Sequence, residues 1–152
     1  MVSNLARFLS APFEQKLYVI AAVAYLGRAR LEFGLRNVGR IVADLQWIST
    51  PKTSRSPDHR LNLETLSWAV EAAARCVPWR ADCLIQAIAT ARWLNKHGYP
   101  AVFYLGVQEN ADGRIAGHAW VSVNGGVVTG RPVEGYATLL GPPPADTDVK
   151  SG

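Results

Sequence analysis

The sequence predicts an α+β fold in which N-terminal helices precede a small antiparallel sheet. Three observations carry that prediction. Apolar residues recur at helical spacing as far as Lys96, the pattern changes to alternation after Pro100, and a hairpin signal, Asn124-Gly125-Gly126, sits inside the alternating part. A length of 152 residues suits one domain. Hydrophobic residues at 49% and charged residues at 18% exclude a disordered chain, and no Gly-X-Y or heptad regularity marks a fibre. Lys and Arg number 16 against 12 Asp and Glu, a net charge of +4 with no basic run. That balance argues against nucleic acid and suits an acidic or peptide partner.

Taken in order, Leu5 to Trp47 reads as two or three helices. Phe13, Leu17, Ile20, Ala21 and Ala24 form the expected apolar face, Gly27, Gly34 and Gly39 are expected to interrupt, and Arg28, Arg30, Arg36 and Arg40 follow. Leu17 to Leu26 is apolar but too short to cross a bilayer, so no membrane segment is expected. No cleavage site follows a positive N-terminal region, which implies a cytoplasmic chain with reduced thiols. Ser49 to Ser56 (STPKTSRS) is a polar connector ended by Pro57. Leu61 to Cys76 is helical again, with Asn62 as N-cap, Glu64 in the first turn, Leu66, Val70, Ala73 and Ala74 as the stripe, and Pro78 closing it. Asp82 caps a helix from Cys83 to Lys96, stopped at Gly98. Strands follow at Ala101–Val107, His118–Val123 and Val127–Thr129, with a turn at Asn110–Gly113. The Pro-rich tail from Gly141 is expected to be disordered. The expected organisation is therefore one domain over 1–140, comprising a helical segment 1–48, a connector 49–60 and a catalytic core 61–140, followed by a tail at 141–152.

Cys83 stands at a helix start, where unpaired backbone N–H groups and the positive end of the dipole favour an anion. The same donors suit the oxyanion formed when a thiolate attacks an amide carbonyl. Set against that is the plain alternative of a buried structural cysteine, a role that fits Cys76 better. Cys76 and Cys83 lack CxxC or Cys/His spacing, so neither a disulfide nor a zinc site is indicated, and no cofactor is implied. His118, between Gly117 and Ala119, is a candidate general base; the alternative is a half-buried histidine with a backbone partner. His97 at a helix C-terminus and His59 in the connector are weaker candidates.

The order of a helix-start cysteine, a strand, and a histidine on the next strand is that of papain-like and transglutaminase-like enzymes. The runs CLIQAIATARWL from Cys83, GYPAVFYLGV from Gly98 and GHAWVSVNGGVV from Gly117 resemble the transglutaminase-like peptidase of lasso-peptide biosynthesis, the B protein. The resemblance implies a transglutaminase-like (papain-like) cysteine peptidase fold. It also implies that Cys83 attacks the bond between the leader and core of a precursor, with His118 as base and then acid. An aspartate that orients the histidine is implied about twelve residues on, and Gly130 stands there. Glu134, Asn124 and Thr129 are the possible replacements, with Glu134 the first choice and a Cys83–His118 dyad the leading alternative. Trp79 and Trp120 are candidate indole donors to an oxyanion, or else packing residues. Gln86 is expected to point away from the reaction centre.

Full-length B proteins carry an N-terminal winged-helix module that recognises the leader, for which a 152-residue chain leaves no room. The resemblance therefore implies the peptidase half of a split B protein in a bacterial cytoplasm. Its implied partners are the leader region of a lasso precursor, a separate small leader-recognition protein for which the Arg-bearing helices are the docking candidate, with simple packing on the catalytic core as their alternative role, and a lasso cyclase downstream. The competing readings are a catalytically impaired scaffold of the same fold that binds precursor, and an acyl transferase using the same thioester chemistry.

Overall fold

The protein is described by a computed structural model over residues 12–49, 57–58 and 60–142. Among the described residues, four helices precede four strands: α1 (Phe13–Leu35), α2 (Val38–Ser49), α3 (Leu63–Ala74), α4 (Cys83–Lys96), β1 (Ala101–Glu109), β2 (Ile115–Val123), β3 (Gly126–Thr129) and β4 (Ala137–Leu140). The fold is α+β. The sheet is antiparallel with strand order β3-β2-β1-β4.

The N-terminal helices differ from expectation in two ways. The glycines at 27 and 34 lie inside α1 and Gly39 lies inside α2; the break falls at Arg36-Asn37 instead. There Arg36 turns to extended backbone, and the Asn37 side chain accepts the Gly39 N–H at 2.8 Å, starting α2. The second difference is the face. Phe13, Leu17 and Ile20 are 76%, 50% and 59% exposed, while Ala22, Leu26 and Ala29 are buried. Small inward residues let α1 approach its neighbours closely, and aromatic residues fill the flanks: the Tyr25 ring stacks on Trp93 of α4 at 5.0 Å. The Tyr18 hydroxyl accepts the Asn62 N–H at 2.8 Å and ties α1 to the start of α3.

Asn62 and Asp82 cap as their sequence positions suggest, accepting from Thr65 and Ile85 respectively. From Cys83, α4 runs into the core, burying Ile85, Ala87, Ile88, Ala91 and Leu94. Arg92 of α4 holds Glu32 of α1 at 2.7 Å, and Arg36 holds both Glu32 and Asp44 of α2 at 2.9 Å. Glu32 thus ties α1 to α4, and Arg36 extends the cluster to α2.

Ala101 and Phe103 of β1 and Ala119, Val121 and Val123 of β2 form the sheet's contribution to the core. By the two-residue period, His118 and Trp120 occupy the opposite face of β2. The β2–β3 hairpin turns on Asn124 and Gly125, both at positive φ. Strand β2 begins three residues earlier than the alternation suggests, and β4 was not expected at all. Cys76 is exposed, not buried, because α3 ends at Ala74 and the cysteine falls in the following turn. The connector positions 50–56, His59 and the tail from 143 lie outside the described residues.

Candidate active site

Cys83 is the first residue of α4 and is half-buried. The Asp82 carboxylate accepts the Ile85 N–H at 3.3 Å, and the first helical bond runs from Gln86 N–H to Asp82 O. The N–H groups of Cys83 and Leu84 are left at the open end of the helix, beside the thiol.

A cavity of about 400 Å³ lies at this end, lined by Cys83, Gln86, His118, Gly130, Arg131 and Glu71 among others. The fold thus brings Cys83 and His118, far apart in sequence, to one pocket. No hydrogen bond joins the Cys83 sulfur to the His118 ring among the described residues.

His118 Nε2 lies 2.6 Å from the carbonyl oxygen of Gly130. A carbonyl only accepts, so Nε2 donates, and the neutral ring carries its lone pair on Nδ1. The ring is flanked by Tyr136, centroids 4.9 Å apart, and by Trp120 at 6.0 Å. Trp120 in turn stacks on Tyr104 at 5.2 Å. This arrangement needs a glycine across the sheet: a Cβ on Gly106 would stand 2.8 Å from the Trp120 ring.

Where the resemblance implies an orienting side chain, the contact to the ring comes from main chain. Gly130 has φ +91, and a Cβ there would meet Ala119 O and Trp120 Cβ at 2.7 Å, so the residue twelve after the histidine offers a carbonyl where no side chain fits. No side chain of the other candidates bonds to the His118 ring among the described residues. The Glu134 carboxylate is exposed and accepts the Val133 N–H at 3.1 Å. The Thr129 hydroxyl is buried without a hydrogen-bond partner, and Asn124 is exposed at the hairpin tip.

Gln86 corrects its expected orientation. At three residues from Cys83 it shares that face of α4, lines the pocket, and donates one amide N–H to Ala81 O at 2.9 Å, leaving a second. Trp79 packs against Gly27 of α1, and its indole N–H is buried without a partner. Tyr136 was not anticipated; it follows the last strand read from the sequence, and nothing in its local pattern announces a contact with His118. Arg131 also lines the pocket, its guanidinium donating to Val127 O at 2.9 Å. His97 caps α4 and meets Asp58 at 3.3 Å, remote from Cys83 in the fold's bonding.

A thiol at a helix N-terminus, an imidazole with a free Nδ1 and several N–H donors form a set suited to nucleophilic acyl transfer. No curated protein and no solved structure matches the chain. A family model described as the transglutaminase-like superfamily matches residues 24–141, a span that includes Cys83, His118 and Gly130. The chain belongs to the transglutaminase-like superfamily.

Proposed function

We propose that the protein is a cysteine endopeptidase that removes the leader from a lasso-peptide precursor, in a superfamily that includes cysteine peptidases. The observation that carries the reading is that Cys83 and His118 line one pocket, with the histidine turned by the Gly130 carbonyl so that Nδ1 is its free nitrogen. In this reading Nδ1 takes the Cys83 proton, and the sulfur attacks the carbonyl carbon of the scissile bond. The oxyanion is held by the helix-start N–H groups and the remaining Gln86 N–H. His118 then gives its proton to the leaving amine, releasing the core and leaving the leader as a thioester on Cys83. Water, deprotonated by His118, hydrolyses that thioester to a carboxylate and restores the thiol.

The partners belong to the same proposal: a separate leader-recognition protein, the precursor it delivers, and a cyclase that takes the released core, in a reducing bacterial cytoplasm. Support for a protein partner comes from the outward side of α1, where Phe13, Leu17, Ile20, Leu31 and Leu35 are all exposed.

Mass spectrometry of a lasso precursor incubated with the chain, with and without the leader-recognition protein, tests the reading. Cleavage that rises with the partner and is lost in Cys83→Ala is expected, with His118→Ala slower by at least about 10²-fold. Cleavage retained in Cys83→Ala would remove the nucleophile assignment. An intact precursor that still binds would favour the scaffold, and a product joined to an amine in place of water would identify a transferase.

A further inference from the structure

Beside the catalytic pocket runs a second cavity of about 460 Å³, between α3 and the edge strand β3. Its helix wall carries Leu63, Ser67 and Trp68, and its sheet wall carries Val127 and Val128. Glu71 and Arg131 line both cavities, so the two adjoin along these residues. Trp68 is 45% exposed there. A large indole left open beside valines on the wall of a cleft is a surface prepared for an apolar side chain.

The strand contributes a second, independent feature. Among the described residues β3 pairs only with β2, and none forms a strand on its other edge. On that edge the Val127 carbonyl accepts from the exposed Arg131 guanidinium, a contact that an incoming peptide N–H can replace. Main-chain hydrogen bonding along an edge and a side-chain pocket beside it are the two requirements for binding an extended peptide.

Resting on the peptidase reading above, we propose that this cleft is the substrate's specificity groove: it binds an extended peptide along β3 and selects one large apolar side chain on the Trp68 wall. The geometry sets the spacing. Glu71, Ser67 and Leu63 succeed one another at four-residue intervals on α3, about 12 Å in all at 1.5 Å per residue. An extended peptide covers that length in three to four residues. The wall from Glu71 to Leu63 therefore spans about three to four residues of an extended peptide, one of which places its side chain against Trp68. Glu64 and Glu71 on the same wall disfavour acidic side chains in that stretch.

Fluorescence anisotropy of the 152-residue Cys83→Ala chain tests the groove without chemistry. The probes are fluorescein-labelled nonapeptides Gly-Ser-Thr-Ser-Xaa-Ser-Thr-Ser-Gly in which Xaa is Leu, Ser or Glu. The Leu peptide should bind at least about tenfold more tightly than the Ser peptide, the size of effect that burial of one such side chain produces, and the Glu peptide should bind most weakly. Trp68→Ala, which removes the wall, and Ser67→Arg, which fills the groove from a helical position, should each abolish the Leu preference in chains whose circular dichroism is unchanged. Equal affinities, no measurable binding of the Leu peptide, or a Leu preference that survives both substitutions would overturn the groove. Precursor cleavage is read separately: its absence with Leu selectivity intact would sink the peptidase reading alone, whereas Cys83-dependent cleavage without selectivity would sink the groove alone.

Discussion

At the scale of single residues, the informative position is Gly130. A carboxylate at the orienting site both turns the histidine and stabilises its protonated form, whereas a neutral carbonyl at 2.6 Å keeps the first role and weakens the second. Restoring an aspartate is the obvious engineering step, and the backbone forbids it. At φ +91, with Ala119 O and Trp120 Cβ 2.7 Å from any Cβ, Gly130→Asp combines left-handed strain with overpacking. The expected result is a loss of at least about 2 kcal/mol in urea unfolding, with activity falling, not rising. A stable and faster Gly130→Asp enzyme would show that the loop has another conformation. Glu134→Gln is the companion case. Its carboxylate bonds to the neighbouring Val133 N–H, so the turnover should stay within about twofold of the parent. Nitrogen-15 spectra of the His118 ring check the shared premise, which requires the neutral ring to hold its proton on Nε2.

At the scale of elements, α4 was the most legible and α1 the least. Asp82, Asn62 and Gly98 announce helix ends through chemistry local to a few residues, and both caps form where the sequence puts them. Helix α1 is apolar on two sides, so periodicity alone offers two stripes. The inward one is that of Ala22, Leu26 and Ala29, small residues that permit close packing, and the bulkier stripe of Phe13, Leu17 and Ile20 faces out. Four-residue β4 is too short for alternation to register, and its partner β1 is distant in sequence. Within the candidate site, the cysteine and histidine that share one pocket are the pair that type and order single out. The orienting carbonyl was not legible, because every residue carries one and only the fold aims it. Neither was the charge cluster that fixes α4: Glu32 is shared by Arg36 and Arg92, and pairing over sixty residues leaves no local signal. Glu32→Gln leaves the mostly buried Arg92 without its closest anion, so it should destabilise the chain by about 2 kcal/mol in urea unfolding. A change below about 0.5 kcal/mol would mean that Asp44, 3.9 Å from Arg92, takes over the pairing.

At the scale of the whole molecule, α4 is the seam: its outer side meets the N-terminal helices, its inner side meets the sheet, and its first residue opens the pocket. Its C-terminal end is tied to the segment that leads into α3. Asp58 donates its N–H to His97 O at 3.0 Å, its carboxylate meets His97 Nδ1 at 3.3 Å, and Tyr99 donates its hydroxyl to Asp58 O at 2.9 Å. The Arg60 N–H, first, and His97, second, hold the Asp58 carboxyl below its ordinary value of 3.8. A depressed carboxylate binds fewer protons in the folded than in the unfolded chain, so its stabilising contribution is present above its ordinary pKa and is lost as pH falls through the folded value. The window is therefore acidic, below about pH 4. Loss of this tie coincides with a growing net positive charge on a chain that already stands at +4, and the two effects act in the same direction. The unfolding free energy should be insensitive to Asp58 titration between about pH 5 and 7 and should fall below about pH 4. In Asp58→Asn the neutral-pH value should be lower and the acid limb shallower. Parallel curves for the two chains, displaced but equal in slope below pH 4, would show that the carboxylate's charge contributes nothing there and that its backbone contacts alone anchor the end of α4.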